Sequence, residues 1–202
     1  ENALKSSFER THRWEKRSLE FHKNHPTDQA LYSVVHGGID PDLRKKSCHI
    51  LSKMDFDGHA VGGSLGKNRE EMVEMLKYTL PCLPKEKPIH LLGIADLPSL
   101  TSSIPLGVDS FDSSYPTKAA RHGTLLTDQG TLRIVSGAYK EDGRPIEEGC
   151  PCRACRTTSR SFLHHLFKAN ELLGLSLASS HNLYYMVRFM ERVRQKILLD
   201  GI

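Results

Sequence analysis

The chain has 202 residues, 38% of them hydrophobic, enough for one domain, or one and a small appendage, around a buried core. No apolar run approaches the ~20 residues a membrane span needs, so no membrane partner is expected. A net charge of +4 does not by itself mark a nucleic-acid binder. The basic residues cluster, however: His12-Arg13, Lys16-Arg17, Lys118, Arg121 and the Arg188, Arg192, Arg194, Lys196 set could each face phosphates or simply solvent.

The start, Glu1-Asn2-Ala3-Leu4, has neither the basic nor the apolar stretch of a secretory signal and no initiator Met, which reads as a fragment or a processed product. Of five cysteines, three crowd residues 150 to 155, which suits a metal site better than a disulfide framework. Cys48 and Cys82, among apolar neighbours, read as buried thiols. A reducing, cytoplasmic compartment is expected.

In chain order, residues 1–24 read as a helix with Leu4, Phe8 and Trp14 as a loose apolar stripe, ended by Asn24-His25-Pro26. A strand over 30–35 leads into His36-Gly37-Gly38. Asp40-Pro41 then opens a helix to about Met54, with Asp40 as N-cap and Pro41 at the first helical position. The cycle recurs: a strand at 59–61 ends in Gly62-Gly63 before a helix over 69–80. A strand at 89–92 ends in Gly93 before a helix over 98–104, and a strand at 108–111 ends in Asp112. Alternation at this spacing argues for parallel βα units with short strands buried on both faces. Polar and glycine residues gather at the strands' C-terminal ends, where a (β/α)8 barrel builds its active-site mouth. Four units are half of such a barrel, which takes about 250 residues when complete; a small open α/β sheet is the competing architecture. Further on, Asp128-Gln129-Gly130 joins strands 124–127 and 131–135 as a hairpin. A helix over 159–173 and a last helix from about Asn182, with Tyr185, Phe189, Val193 and Ile197 at i+4 steps, complete the chain. Residues 1–135 are assigned to the βα part and 136–202 to a small metal-stapled subdomain with the C-terminal helices.

Cys150, Cys152 and Cys155 supply three soft ligands, and one imidazole would close a tetrahedron around Zn2+ with no position left for substrate, so the metal is expected to be structural. His181 is the preferred fourth ligand, ahead of His164 and His165, which sit mid-helix among apolar neighbours. Asp112, at a strand end and before a basic loop, could be a nucleophile or electrostatic stabiliser, or a turn-capping residue.

The run Phe111-Asp112-x-x-x-Pro116-Thr117-Lys118-x-x-Arg121-x-Gly123, followed by Cys-x-Cys-x2-Cys and then His181-Asn182, resembles the tRNA-guanine transglycosylases (queuine tRNA-ribosyltransferases). The likeness extends through Phe56 to Gly63, His90 to Gly93 and Ser159 to Leu166, covering essentially the whole chain. The Gly62-to-Asn68 and Ser113-Ser114-Tyr115 variants are similar to the chlamydial branch.

The resemblance implies the C-terminal half of a TIM-type barrel with an inserted zinc-binding subdomain. It also implies exchange of the wobble guanine of tRNAs with a GUN anticodon for a 7-deazaguanine, queuine or preQ1. In that reaction Asp112 attacks ribose C1′ and holds a covalent intermediate until the incoming base displaces it. His36, Gly62 and Gly63 stand at base-contacting positions, His36 where a glutamine is common. Lys67 falls near a glutamate that supports recognition of the aminomethyl group of preQ1, which tilts the expectation away from that cationic base toward queuine or a neutral one. Gly93, Ile94, Ala95, Asp96, Leu97, Pro98 and Ser99 match an RNA-contacting loop, with Ala95 in place of the usual glycine. Thr117, Lys118, Ala119, Ala120 and Arg121 match the segment that reads the anticodon. A homodimer or a catalytic–accessory heterodimer is implied, and a non-catalytic accessory subunit or an inactive fragment is the alternative reading of the chain itself.

Overall fold

The computed structural model describes residues 2–200. Two compact units divide the chain at Ser113/Ser114. The division assigned from sequence falls at 135; within its own unit the hairpin after Gly123 packs with the C-terminal helix.

In the first unit, helix α1 (Asn2–Asn24) precedes four βα cycles: β1 (Tyr32–Val35), α2 (Pro41–Leu51), β2 (Gly58–Val61), α3 (Arg69–Thr79), β3 (Ile89–Leu91), α4 (Leu97–Ser103) and β4 (Ser110–Phe111). The strands form one parallel sheet in the order β1-β2-β3-β4. Neighbours in sequence are neighbours in space, as in a barrel wall; a doubly wound sheet would reverse its order at a switch point. Because side chains alternate along a strand, Val35, Val61, Ile89 and Leu91 turn to the helices and join Leu51, Met72, Met75 and Leu76 in the core. The opposite face carries Val34, Ala60, His90 and Ser110, and Ala60, His90 and Ser110 stand in one row of the register.

The caps follow the sequence. Asp40 accepts from the Asp42 and Leu43 N–H groups with Pro41 at the first turn, and Asn68 accepts from Glu71 N–H. The apolar stripe of α1 is not the one expected. Phe8, His12 and Leu19 are buried, whereas Trp14 is 52% exposed. Positions 8, 12 and 19 share a helical face, and Trp14, six residues after Phe8, falls on the far side. Cys82 is exposed and not buried; Cys48 is enclosed, and burial pushes its thiol up to about 12.

The second unit holds α5 (Tyr115–Arg121), the antiparallel hairpin β5 (Thr124–Thr127) and β6 (Gly130–Arg133), α6 (Arg153–Thr157), α7 (Arg160–Lys168) and α8 (Leu172–Asp200). Residues expected as a basic loop after Asp112 are helix α5, begun by Pro116 in its first turn. The helix expected over 159–173 stops at Lys168, where Asn170 takes a left-handed conformation (φ 56°) and Glu171 N–H bonds Leu166 O. The last helix begins ten residues earlier than expected, at Leu172. Gly174 is no breaker here: an added Cβ would lie 3.0 Å from that of Leu166, so it permits close approach of α7 and α8. Ala120, Leu125, Ile134, Ile146, Leu163, Leu166 and Ala178 form this unit's core.

Candidate active site and metal centre

At the C-terminal ends of the four strands, the sheet face opposite the helices gathers His36, Gly62, Gly63, His90, Gly93 and Asp112. Asp112 follows Ser110 by two residues and so emerges on the same face as His90. Its side chain is 59% exposed. One carboxylate oxygen, Oδ1, accepts from Gly93 N–H at 3.1 Å and from His90 Nε2 at 3.0 Å. Oδ2 accepts no hydrogen bond among the described residues. The Gly93 N–H, then His90, hold the carboxyl below its ordinary value of 3.8, so Asp112 is ionised at neutral pH. Gly93 has φ 77°, a conformation that costs glycine nothing, and this turns its N–H to Asp112.

The loops after β1 and β2 are held from beneath by Arg44, which is fully buried. Its guanidinium donates to four carbonyls: Gly38 (2.7 Å), Val35 (2.8 Å), Gly62 (2.9 Å) and Ser64 (3.0 Å). Backbone dipoles thus replace a carboxylate as its counter-charge. The loops are also sterically tight. A Cβ on Gly37 would lie 2.7 Å from Arg44 N, and one on Gly62 2.7 Å from Leu92 Cδ1. Gly63 (φ 75°) is exposed, and its would-be Cβ position is 3.5 Å from His36 Nδ1, so His36 and Gly63 share one surface. Burial, then the charge of Arg44, lowers the His36 pKa and keeps its ring neutral. His36 N–H bonds Ser47 Oγ, which in turn bonds His12 Nε2. His12 is therefore an internal residue and not a phosphate contact.

Of the segment 93–99, only Gly93, Ile94, Ala95 and Asp96 are loop. Leu97, Pro98 and Ser99 begin α4, and Asp96 is its cap, accepting from Ser99 N–H. Ala95 and Ser99 are buried. On α5, Ala120 is core and Thr117 bonds the Ser114 carbonyl, while Lys118 and Arg121 project into solvent. Arg188 and Arg192 are committed elsewhere: both pair with Asp128 of the hairpin turn, and Arg188 also with Glu147 at 2.6 Å.

The ligand atoms of Cys150, Cys152, Cys155 and His181 lie within 4.8 Å of one another. His181 Nδ1 is 3.5 Å from Cys152 Sγ and 3.4 Å from Cys155 Sγ. Its Nε2 donates to Leu126 O at 2.8 Å, which leaves the Nδ1 lone pair facing the sulfurs. Three thiols and one correctly turned imidazole fit a metal ion. Burial pushes the Cys150 and Cys155 thiols up, so a cation is what would make them thiolates. His164 is not among the converging side chains; its Nδ1 bonds Ile134 O at 2.7 Å. Asn182, the next residue, binds the same strand. Its Oδ1 accepts from Leu126 N–H at 2.9 Å, and its Nδ2 donates to Thr124 O and Pro116 O, each at 3.0 Å.

The queuine tRNA-ribosyltransferase family model matches residues 1–202. The chain belongs to this family. It is 60% identical over 201 residues to a queuine tRNA-ribosyltransferase of Protochlamydia amoebophila, covering 100% of this chain and 52% of the relative. To the same-named proteins of Chlamydia abortus and Chlamydia trachomatis serovar L2 it is 52% and 50% identical, over 98% and 97% of this chain and 53% of each relative. The chain thus spans about half the length of the curated queuine tRNA-ribosyltransferases it matches, and their chlamydial origin agrees with the variants at 62–68 and 113–115.

Sequence reasoning missed Arg44 and the roles of His90 and Ser110. Arg44 sits in Leu43-Arg44-Lys45-Lys46, which reads as a solvated basic run. His90 carried a signal, an imidazole two residues before a strand-end turn in a row with Ser110.

Proposed function

We propose that the chain is the C-terminal half of a (β/α)8 tRNA-guanine transglycosylase, in which Asp112 is the nucleophile that exchanges the wobble guanine of GUN-anticodon tRNAs for queuine or preQ1. The carrying observation is the Asp112 carboxylate: ionised, exposed, anchored through Oδ1 and open at Oδ2. The sequential strand order with neighbouring helices packed on one another supports the half-barrel reading. An ionised carboxylate is an adequate nucleophile toward an oxocarbenium-like carbon and a tolerable leaving group afterwards. As Oδ2 bonds C1′, the C1′–N9 electron pair departs with guanine, which takes up a proton. The incoming base gives up a proton at the matching nitrogen as it displaces Oδ2, so the exchange balances without an energy source.

His36, Gly62 and Gly63 would contact the base, the glycine at 63 letting it approach the backbone. Lys67 does not separate queuine from preQ1, since both carry a basic amine on the 7-substituent. Glu71 also brings a carboxylate onto that loop, accepting from Lys67 N–H at 2.8 Å. Lys118 and Arg121 would meet the anticodon arm, with residues 93–99 adding RNA contacts. Zn2+ on Cys150, Cys152, Cys155 and His181 would be structural, its shell closed by four protein ligands. Exposed Leu183, Tyr184 and Val187, adjacent on α8, support a dimer, and reduced cysteines support a cytoplasmic location.

The test is Asp112→Asn in the full-length polypeptide. Exchange of labelled guanine into tRNA should fall to background, and the denaturation-resistant protein–tRNA adduct of the parent should vanish, while melting is preserved because the amide oxygen still accepts from Gly93 N–H. Normal exchange by this variant would overturn the reading.

A further inference from the structure

Two donors converge on one oxygen of Asp112, and the second is positioned by a third residue. His90 and Ser110 are direct partners in the β3–β4 register, and His90 Nδ1 lies 2.9 Å from Ser110 Oγ. On its other side, Nε2 lies 3.0 Å from Asp112 Oδ1. An ionised carboxylate can only accept, so Nε2 carries a proton; in the neutral ring Nδ1 then accepts, and Ser110 donates to it. The His90 side chain is 21% exposed, so the ring is partly buried while the carboxylate it holds, at 59%, is open to solvent. Gly93 is braced as well: its carbonyl accepts from Ser113 Oγ at 3.3 Å while its N–H binds Asp112.

We propose that His90, oriented by Ser110, is a positioning residue that commits Oδ1 of Asp112 to a two-donor pocket, so that Oδ2 alone attacks and the carboxylate is stabilised as it leaves. The proposal rests on the reading of Asp112 as nucleophile. When Oδ2 bonds C1′, the negative charge on the carboxylate is lost, and Oδ1 becomes the carbonyl oxygen of a neutral ester. The C1′–N9 pair goes with guanine. In the second step the incoming nitrogen bonds C1′, and the C1′–Oδ2 pair returns to the carboxylate. The His90 and Gly93 donors bind the charged carboxylate more strongly than the neutral ester. They therefore favour the second step, restoring charge, over the first, which consumes it. The pocket acts on a reacting group by fixing its direction and its leaving ability.

The experiment compares His90→Ala, His90→Gln and Ser110→Ala in the full-length polypeptide, reading kcat, KM for tRNA, melting temperature and the steady-state fraction of enzyme trapped as tRNA adduct on a denaturing gel. A hydrogen bond to a charged group sets the scale: His90→Ala should lower kcat roughly ten- to a hundredfold. KM for tRNA should stay within about twofold, and the trapped fraction should rise because release of the carboxylate is slowed most. His90→Gln, whose amide N–H can reach Oδ1, should recover most of kcat and return the trapped fraction toward the parent value. Ser110→Ala should move both readouts the same way as His90→Ala, by less. The proposal is overturned if His90→Ala leaves kcat and the trapped fraction unchanged. It is equally overturned if His90→Gln is as slow as His90→Ala with melting intact, or if kcat falls only in step with melting. Should the parent form no adduct at all, the nucleophile reading itself fails, whatever the His90 variants do.

Discussion

Arg44 is a full positive charge with no solvent and no hydrogen-bonded carboxylate, held by the carbonyls of Val35, Gly38, Gly62 and Ser64. Five guanidinium N–H groups in a fixed fork can serve four acceptors at once, which no lysine can do in the same geometry. Arg44→Met would keep the apolar stem and strand four carbonyls. It should cost about 3 kcal/mol or more, seen as a lowered urea midpoint with unchanged slope. Arg44→Lys should recover only part of this. The loops after β1 and β2 would loosen together, so on the proposed function base affinity should fall in proportion to the lost loop support even where the protein still folds. Arg44 shows the limit of reading single residues. Its neighbours Lys45 and Lys46 are exposed, and only the three-dimensional return of the loops after β1 and β2 distinguishes it from them.

Among the elements, strands and helices of the first unit were legible because local signals agreed: Asp40-Pro41 at a helix start, glycine pairs after strands, and short apolar runs at a regular spacing. The misread elements are those where packing overrides local chemistry. Gly174 and the serines after it look like a break, yet α8 runs through them because the close α7 contact rewards the missing side chain. The Tyr115–Arg121 helix was hidden by its shortness and by the Pro at its start. The Cys3His cluster was legible from motif order, while the pocket around Oδ1 of Asp112 was not, since it depends on the register of β3 against β4. Asn182 tests element-level cohesion. Asn182→Ala removes three hydrogen bonds that join α8 to β5 and to the start of α5, and should lower stability by about 2–4 kcal/mol, measured by thermal or urea melting. Asn182→Asp, keeping the acceptor for Leu126 N–H but losing both donors, should fall no less far.

Across the whole molecule, two kinds of glue divide the work. The first unit has a continuous apolar core between sheet and helices, including Leu51, Leu76 and Leu91, each fully enclosed. The second unit is smaller, and to its own apolar core around Leu125, Ile134 and Leu163 it adds the converging Cys150, Cys152, Cys155 and His181 side chains and the Asp128, Glu147, Arg188 and Arg192 cluster. Metal removal should therefore be felt unevenly. Treatment with a strong chelator should raise amide exchange in α6, β5 and the loop before Cys150, while α2, α3 and β2 keep their protection. Because burial raises the Cys150 and Cys155 thiols, rebinding Zn2+ should release protons, and affinity should fall as pH is lowered. A uniform loss of protection across residues 2–200, or metal uptake without proton release, would contradict this division.

The adjacent side chains of His181 and Asn182 have a consequence for solubility. A two-stranded hairpin has a free edge on each side, and an unpaired N–H and C=O is a template for another chain. On β5 the outward-facing groups include those of Leu126, and both are already taken, the carbonyl by His181 and the N–H by Asn182, which also holds the Thr124 carbonyl. The imidazole that would complete a metal shell is thus also part of the cover on an adhesive strand. Oxidation or demetallation that swings His181 away would uncover backbone as well as free thiols, so the metal-depleted protein should self-associate through β5 before it unfolds.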